Sequence, residues 1–521
     1  MRGGSPRLDR GGGSAASHRR PTRHASIRRG EFQVGDGASH RRTVGGGSRY
    51  AGRERRNVME VGVPLVSSTD RGEGREGLSP QVLDERTSFL GGSALMLWAQ
   101  IASASGLFVA VLVLARGLGP EGRGTMAFIS VAALVIGRVA RIGAGEAMAI
   151  LAAQRRSERS ALLGALAVFV VPVTLIFAAA VAVVILSLPE PRPAGVEGTE
   201  LVALVVGAAG LALYESCGMF LLGCKRFVAR TVTGATAPWI YATILGILSA
   251  TVGLTVASAA FTWAIAMSVG GLIGFTVAMR TAGLARPDLR LLAQLIKLGS
   301  RLWIGTLTSF LNLRVDQLLM GFISTKAILG IYAVAVNGAE VLLYFPTAIG
   351  EALYPFLAVG DPRERAQQAL RAARLLAFST TASIVVAAVL GPALIPIVFG
   401  KPFESSVAPF LWLLPGAFGY AATRVFSIAL ATSSRPGQSS LPPLISLILG
   451  VVLDLLLIPG YGALGAAIAA SVAYIAGGAS AIYLHRAGNP FSARELLPRV
   501  DEVTVLMPRA RAALGRLRSA R

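Results

Sequence analysis

Residues 161–187 read ALLGALAVFVVPVTLIFAAAVAVVILS, a stretch without one charged side chain. A helix of about 20 apolar residues crosses the ~30 Å hydrocarbon core of a bilayer and satisfies its own backbone hydrogen bonds there. The stretch is therefore predicted to be a transmembrane helix. It decides the fold because similar stretches lie on both sides of it.

Apolar stretches of this length fill the chain from about Phe89 to Tyr483, with short loops between them. They predict an all-α integral membrane protein with twelve transmembrane helices. Hydrophobic residues make up 53% of the sequence and the mean hydropathy is +0.61, in agreement. The predicted spans are 89–115, 125–150, 161–187, 200–223, 231–254, 257–280, 301–323, 327–350, 372–399, 407–431, 438–458 and 462–484.

The net charge of +22 does not indicate a nucleic-acid partner, because the charge lies mainly in the two tails and in the loops. Residues 1–85 contain sixteen Arg against ten acidic residues, and residues 486–521 contain eight Arg against three. A nucleic-acid-binding protein needs a folded basic surface, often with aromatic or groove-reading elements. None is visible in this sequence.

The N-terminal segment 1–87 is predicted to be a disordered basic cytoplasmic tail, since its Gly-, Ser- and Arg-rich composition cannot bury a core. It lacks the apolar region of a secretory signal. Two alternatives stay open for residues 1–58. Either translation starts at Met59 and they are a start-site artefact, or the basic segment binds anionic lipid headgroups.

The Lys and Arg residues of the short loops predict the orientation. One set of alternate loops contains fifteen such residues and the other set contains five, Arg116, Arg123, Arg192, Lys326 and Lys401. Both termini are therefore predicted to be cytoplasmic, in a multi-pass membrane protein.

Six spans precede the longest internal loop and six follow it, which predicts two lobes, 88–282 and 301–486. The two can be parallel repeats about an axis along the membrane normal. A short sequence echo, with Gly124 matching Gly330, agrees with a repeat. Residues 283–300 are predicted to form a cytoplasmic amphipathic linker, and residues 487–521 a basic cytoplasmic tail.

No metal site or cofactor site is predicted. Cys217 and Cys224 are seven residues apart in one apolar stretch, which is too few ligands for a metal ion. Three of the four histidines lie in the N-terminal tail, and His485 ends the last span. A histidine-based catalytic centre is therefore not expected either.

Charged residues inside the second span are candidates for function, because each is costly to insert. Arg138 and Arg141 are three residues apart on one helix face, and Glu146 lies closer to the cytoplasmic end. Two readings stay open. The arginines pair with acids of other helices, or they bind a doubly anionic ligand such as a pyrophosphate.

The seventh and eighth spans contain a second group of polar residues near mid-membrane depth. The seventh contains Arg314 and Asp316, and the eighth contains Asn337 and Glu340 on one face. These acids are predicted either to form structural ion pairs or to bind a coupling H⁺ or Na⁺.

Three stretches together resemble bacterial polysaccharide-export flippases of the multidrug/oligosaccharidyl-lipid/polysaccharide superfamily. They are LARGLGPEGRGTMAF, which starts at Leu114, the long LIKLGSRLWIG…LYP, which starts at Leu295, and DLLLIPGYGALGAAIAASVAYI, which starts at Asp454. The resemblance covers nearly all of residues 88–486 and excludes both tails.

The resemblance implies two six-helix lobes around a central cavity that is lined by the first, second, seventh and eighth helices. It implies translocation of undecaprenyl-pyrophosphate-linked oligosaccharide, a precursor of O-antigen, exopolysaccharide or capsule, across the bacterial inner membrane. It also implies polysaccharide polymerase or export machinery as partners. On that basis Arg138, Arg141 and Arg314 are predicted to contact the substrate. Asp316, Glu340, Asn337 and Glu146 are predicted to serve coupling or ion pairing.

Three other functions are alternatives to this one. A drug/cation antiporter of the same superfamily would need acids in the cavity without a cationic cluster. A peptidoglycan-precursor flippase resembles the chain less, because such proteins usually carry further helices. A membrane glycosyltransferase or polymerase would need a larger external loop than Leu188–Glu200.

Overall fold

The computed structural model describes residues 80–358, 362–433, 436–489 and 491–496. Within these ranges the chain is all-helical, with no β-strand. The predictions for residues 1–79 and 497–521, including the alternative start at Met59, lie outside the described residues.

The helices before residue 283 correspond to the first six predicted spans. They include two helices that are separated from one another only by a two-residue turn. Their bounds are α1 Pro80–Arg141, α2 Ala144–Gln154, α3 Arg159–Ser187, α4 Gly198–Gly223, α5 Phe227–Thr251 and α6 Val256–Ala282.

The helices after residue 283 are more often interrupted than predicted. A 3₁₀ turn precedes α11, and another precedes α13. The bounds are α7 Leu289–Leu311, α8 Val315–Ile323, α9 Lys326–Ala358, α10 Pro362–Phe399, α11 Val407–Leu413, α12 Gly416–Ala431 and α13 Leu441–Gly488.

Seven of the described helical segments are long and apolar enough to cross a membrane, or eight if the pair α11–α12, bent by 46°, counts as one. Two of the seven contain 41 and 52 residues, which is roughly 60 and 80 Å of helix, twice what one crossing needs. Each has a non-helical glycine within it, Gly119 in α1 and Gly462 in α13. The chain is thus a multi-pass membrane protein, and the count of twelve spans stays a prediction.

Three of the predicted spans are not continuous helices. The span 407–431 is broken between Leu413 and Gly416. The span 125–150 is broken at Ile142 and Gly143, which have φ of 47° and 71°. The span 301–323 is broken between Leu311 and Val315, and its first part continues the helix that begins in the predicted linker, at Leu289. The prediction of one continuous helix over 301–323 was therefore wrong.

The helices differ in how much of their surface other helices cover. In the most apolar part of α4, 72% of the residues are buried, whereas 17% are buried in α10. A transmembrane helix that is largely unburied faces lipid, and one that is largely buried packs against other helices. Thus α4 lies at the centre of its helix group, between α3 and α6, and α10 lies at the periphery.

Helices of the two predicted lobes cross closely at two places, each time through glycine. At the first, between α1 and α9, a Cβ atom added to Gly124 would lie 1.8 Å from the Lys326 carbonyl oxygen. One added to Gly330 would lie 1.9 Å from the Pro120 carbonyl oxygen. The two glycines of the sequence echo thus lie at one helix crossing. We call it the α1–α9 crossing.

The second close crossing joins the turn after α1 to α7. A Cβ atom on Gly143 would lie 2.3 Å from the Gly299 carbonyl oxygen, and one on Gly299 would lie 2.7 Å from the Ile142 carbonyl oxygen. We call it the α1–α7 crossing. Only residues without a side chain allow backbones to approach this closely.

Candidate functional site

Arg141 is held on all sides in the last turn of α1. Its Nε donates to the Gly137 carbonyl oxygen at 2.8 Å, and its Nη1 donates to Ser216 Oγ at 3.2 Å. Its Nη2 pairs with the carboxylate of Glu215. Because Ser216 and Glu215 belong to α4, these contacts join α1 to α4 and leave Arg141 only 7% exposed.

Arg138 lies one turn earlier and is held more loosely. Its side chain is 30% exposed, and its guanidinium lies 3.8 Å from Glu146 Oε1 and 3.9 Å from Glu215 Oε1. Its Nε is buried without a hydrogen-bond partner. These distances are long for charge-assisted hydrogen bonds, so the two ion pairs are weak.

Arg138 also connects α1 to α7, a helix of the second predicted lobe. Its guanidinium carbon lies 4.4 Å from the centroid of the Phe310 ring, within cation–π range. Trp303 Nε1 donates to the Arg138 carbonyl oxygen at 3.1 Å. Arg138 therefore lies between helices of the two predicted lobes, whereas Arg141 lies within one.

Two acids balance the two arginines in this conformation. The sequence suggested either protein acids or a dianionic ligand as counter-charges, and here Glu215 and Glu146 supply them. Glu215 is not among the site residues that the sequence predicts. It lies 74 positions from Arg141, and no pattern in one sequence connects two such positions.

A second polar cluster lies around the break between α7 and α8. Arg314 faces Glu340 of α9 with both of its terminal nitrogens, one of them 3.2 Å from Glu340 Oε2. Asp316, in the first turn of α8, accepts a hydrogen bond from the Tyr332 hydroxyl. Asn337 is less well satisfied, since its buried Nδ2 has no partner.

Side chains of α13 support the break. The Tyr474 hydroxyl donates to the Asn312 carbonyl oxygen at 3.0 Å, and Ser446 Oγ donates to Asn312 Oδ1 at 3.0 Å. A helix break inside a membrane leaves backbone groups unpaired unless neighbours satisfy them. Because the partners come from a distant part of the chain, the sequence prediction did not find this break.

The second cluster encloses a small cavity. About 30 Å³ lies among Asp316, Tyr332, Glu340 and Tyr474, which is room for about one water molecule. Asp454 of α13 is 2% exposed, has one carboxylate oxygen without a partner and interacts electrostatically with Asp316. The described residues include no group of three or more His, Cys, Asp or Glu side chains that could hold a metal ion.

An apolar groove of about 500 Å³ adjoins this cluster, between α1, α9, α10 and α11. Its walls include Phe108, Val386 and Phe410, and Ser383 is the one polar side chain of its lining. Leu342 of α9 lines both the groove and the small polar cavity. A polar cavity and an apolar groove thus share one wall.

The helix arrangement is that of a multi-pass membrane protein, and its fold is shared with solved membrane transport proteins. It is similar to a multidrug resistance MATE family transporter in an inward-facing conformation, with a TM-score of 0.58 and 14% identity, covering 75% of this chain and 96% of that one. It is also similar to the lipid II flippase MurJ in an inward closed conformation, with a TM-score of 0.52 and 15% identity, covering 78% and 89%.

The sequence makes the assignment more specific. Residues 113–408 match the family described as "Polysaccharide biosynthesis protein", and the chain belongs to that family. Comparison with curated protein sequences gives no match. The resemblance inferred from the sequence is confirmed, and the similar solved structures are transporters and a flippase.

Proposed function

We propose that this chain translocates undecaprenyl-pyrophosphate-linked oligosaccharide across the bacterial cytoplasmic membrane by alternating access. One observation carries the proposal: Arg138 is a loosely paired guanidinium between helices of the two predicted lobes. A diphosphate needs a cation that can leave its protein partners at little cost. Arg138 meets that requirement. Arg141 does not, because each of its three side-chain nitrogens already has a protein partner.

The proposed exchange at Arg138 follows from the strength of its contacts. A phosphate group accepts two parallel hydrogen bonds from a guanidinium, which is stronger than either long ion pair. The diphosphate would displace Glu146 from Arg138, while Arg141 keeps Glu215 in place. Arg314 is proposed as a further contact, available to the substrate when Glu340 releases it.

The acids near these arginines give the proposed coupling. A carboxylate that loses its arginine to the substrate has no positive partner. Binding of H⁺ or Na⁺ then neutralises its negative charge. Glu146 and Glu340 are the proposed partners of this exchange, with Asp316 and Asn337 beside them. Both termini are proposed to lie in the cytoplasm, as the loop charges predict.

The apolar groove supports a lipid-linked substrate. Moving a diphosphate and sugars through hydrocarbon is prohibitive, because each polar group must lose its water. A route that keeps the head on polar groups must let the prenyl chain leave sideways into lipid. The groove shares Leu342 with the second cluster, so a prenyl chain there would be continuous with a head held at the clusters.

The test compares Arg138→Gln with Arg280→Gln, which also removes one positive charge but at an exposed position. In cells lacking the protein, radiolabelled prenyl-linked oligosaccharide should accumulate in the cytoplasmic leaflet. Wild type and Arg280→Gln should clear it. Arg138→Gln should clear it about 10- to 100-fold more slowly, the value of one charge-assisted hydrogen bond.

A cation-coupled multidrug antiporter is the second candidate. The buried acids Asp316 and Asp454 favour it, as does the similarity of fold to a MATE transporter. If deletion leaves the sidedness of the glycolipid unchanged and lowers only tolerance to drugs or cations, this function replaces the first.

A further inference from the structure

Arg123 is a buried cation that the proposed function does not use. The sequence analysis counted it as an external loop residue, and the structure corrects this, because it lies in the helical turn after Gly119 and is only 6% exposed. Its Nε is buried without a partner. Within the described part of the chain, its guanidinium forms neither an ion pair nor a hydrogen bond.

A second unsatisfied group lies on α5, which packs against α1. Tyr241 of α5 is 3% exposed, and its hydroxyl is buried without a partner. Arg123 interacts electrostatically with Tyr241 and with Arg314, the latter from the second predicted lobe. The nearby acids are engaged, since Glu340 pairs with Arg314 and Asp316 accepts from Tyr332.

The chemistry of the missing partner follows from these groups. A guanidinium can only donate hydrogen bonds, and the tyrosine hydroxyl has a proton to donate. Buried donors without acceptors are rare, and a buried cation without a counter-charge is rarer. An anion with several acceptor oxygens satisfies the charge and both donors, and a diphosphate has these properties.

We propose that Arg123 and Tyr241 form a second binding subsite for the diphosphate of the lipid-linked substrate, reached when the α1–α9 crossing opens. This proposal rests on the proposed function. Fifteen residues of uninterrupted helix, roughly 22 Å, separate Arg123 from Arg138 along α1. Gly124 of the α1–α9 crossing adjoins Arg123 in sequence, and separation of these two helices is the proposed way to reach the subsite.

The second subsite completes a route for the head group along one helix. The diphosphate would first bind Arg138 near the C-terminal end of α1 and then bind Arg123, just after the kink at Gly119. Arg314 adds positive charge from the facing helix at the second stage, because it already interacts with Arg123 in this conformation.

The test measures binding of farnesyl diphosphate and of inorganic pyrophosphate to the full chain in lipid nanodiscs. Arg138→Gln serves as the background, which removes the first subsite. Adding Arg123→Gln should weaken farnesyl diphosphate binding about tenfold or more, and Tyr241→Phe about threefold. Arg123→Lys should retain part of the affinity, and the exposed control Arg280→Gln should change nothing.

Unchanged affinity in both Arg123→Gln and Tyr241→Phe would overturn the proposal. If Arg123→Gln does not fold, Tyr241→Phe decides alone, because it removes only a hydroxyl that has no partner. Equal affinity for inorganic pyrophosphate would overturn the assignment to a lipid-linked ligand. The proposed function has its own test, independent of the second subsite. It is contradicted if cells with Arg138→Gln clear the glycolipid as fast as cells with the wild-type protein.

Discussion

Arg138 and Arg141 are one helical turn apart and have different surroundings. Arg141 is fixed by α4, and Arg138 reaches toward α7 with long contacts to two acids. The helical period was enough to predict that the two arginines share a face. Which of them is free to exchange partners depends on Glu215 and Phe310, which reach the site only through tertiary packing.

Arg141→Gln is expected to destabilise the protein by about 2–3 kcal/mol, because it leaves the carboxylate of Glu215 without its main partner. The double variant Arg141→Gln/Glu215→Gln should be more stable than Arg141→Gln alone. Melting temperatures of the four proteins in detergent would measure this. A double variant that is less stable than both single variants would contradict a structural pair.

At the scale of elements, the break between α7 and α8 is the feature that local sequence did not predict. Residues 301–323 have the length and apolarity of one span, so a continuous helix was expected. In the structure, Tyr474 and Ser446 of α13 donate hydrogen bonds to the carbonyl and side-chain oxygens of Asn312, from more than 130 positions away. A break that depends on such distant partners has no local signal.

Tyr474→Phe is expected to loosen this break, since it removes the hydrogen bond to the Asn312 carbonyl oxygen. The expected cost is about 1–2 kcal/mol, with faster hydrogen exchange at residues 312–316. Tyr483→Phe is the matched control, because Tyr483 lies on the same helix and is 72% exposed. Equal exchange in the two variants would show that Tyr474 does not support the break.

For the whole molecule, the two glycine crossings fix how the helices of the predicted lobes approach. The similarity between Gly124 and Gly330 was visible in the sequence as a sign of a repeat. Their meeting at one crossing was not visible, because similar residues of two repeats need not touch. The all-helical membrane fold followed from composition alone, whereas the pairing of helices did not.

Gly330→Ala is expected to force the α1–α9 crossing apart, because the new methyl group would lie 1.9 Å from the Pro120 carbonyl oxygen. Spin labels at Val252 and Tyr461, both exposed, should report a longer or broader distance distribution. Gly246→Ala is the control, since its methyl group would meet nothing within 4 Å. A distribution identical to wild type would show that the crossing adapts without opening.

The two glycine crossings are joined by one uninterrupted segment of α1. Residues 124–141 form roughly 26 Å of uninterrupted helix, which contacts α9 through Gly124 and leads into the turn that contacts α7 through Gly143. If this helical segment tilted about its middle, one crossing would widen and the other would narrow. Under the proposed alternating access, the two sides of the membrane would therefore not open together, because widening one crossing would narrow the other.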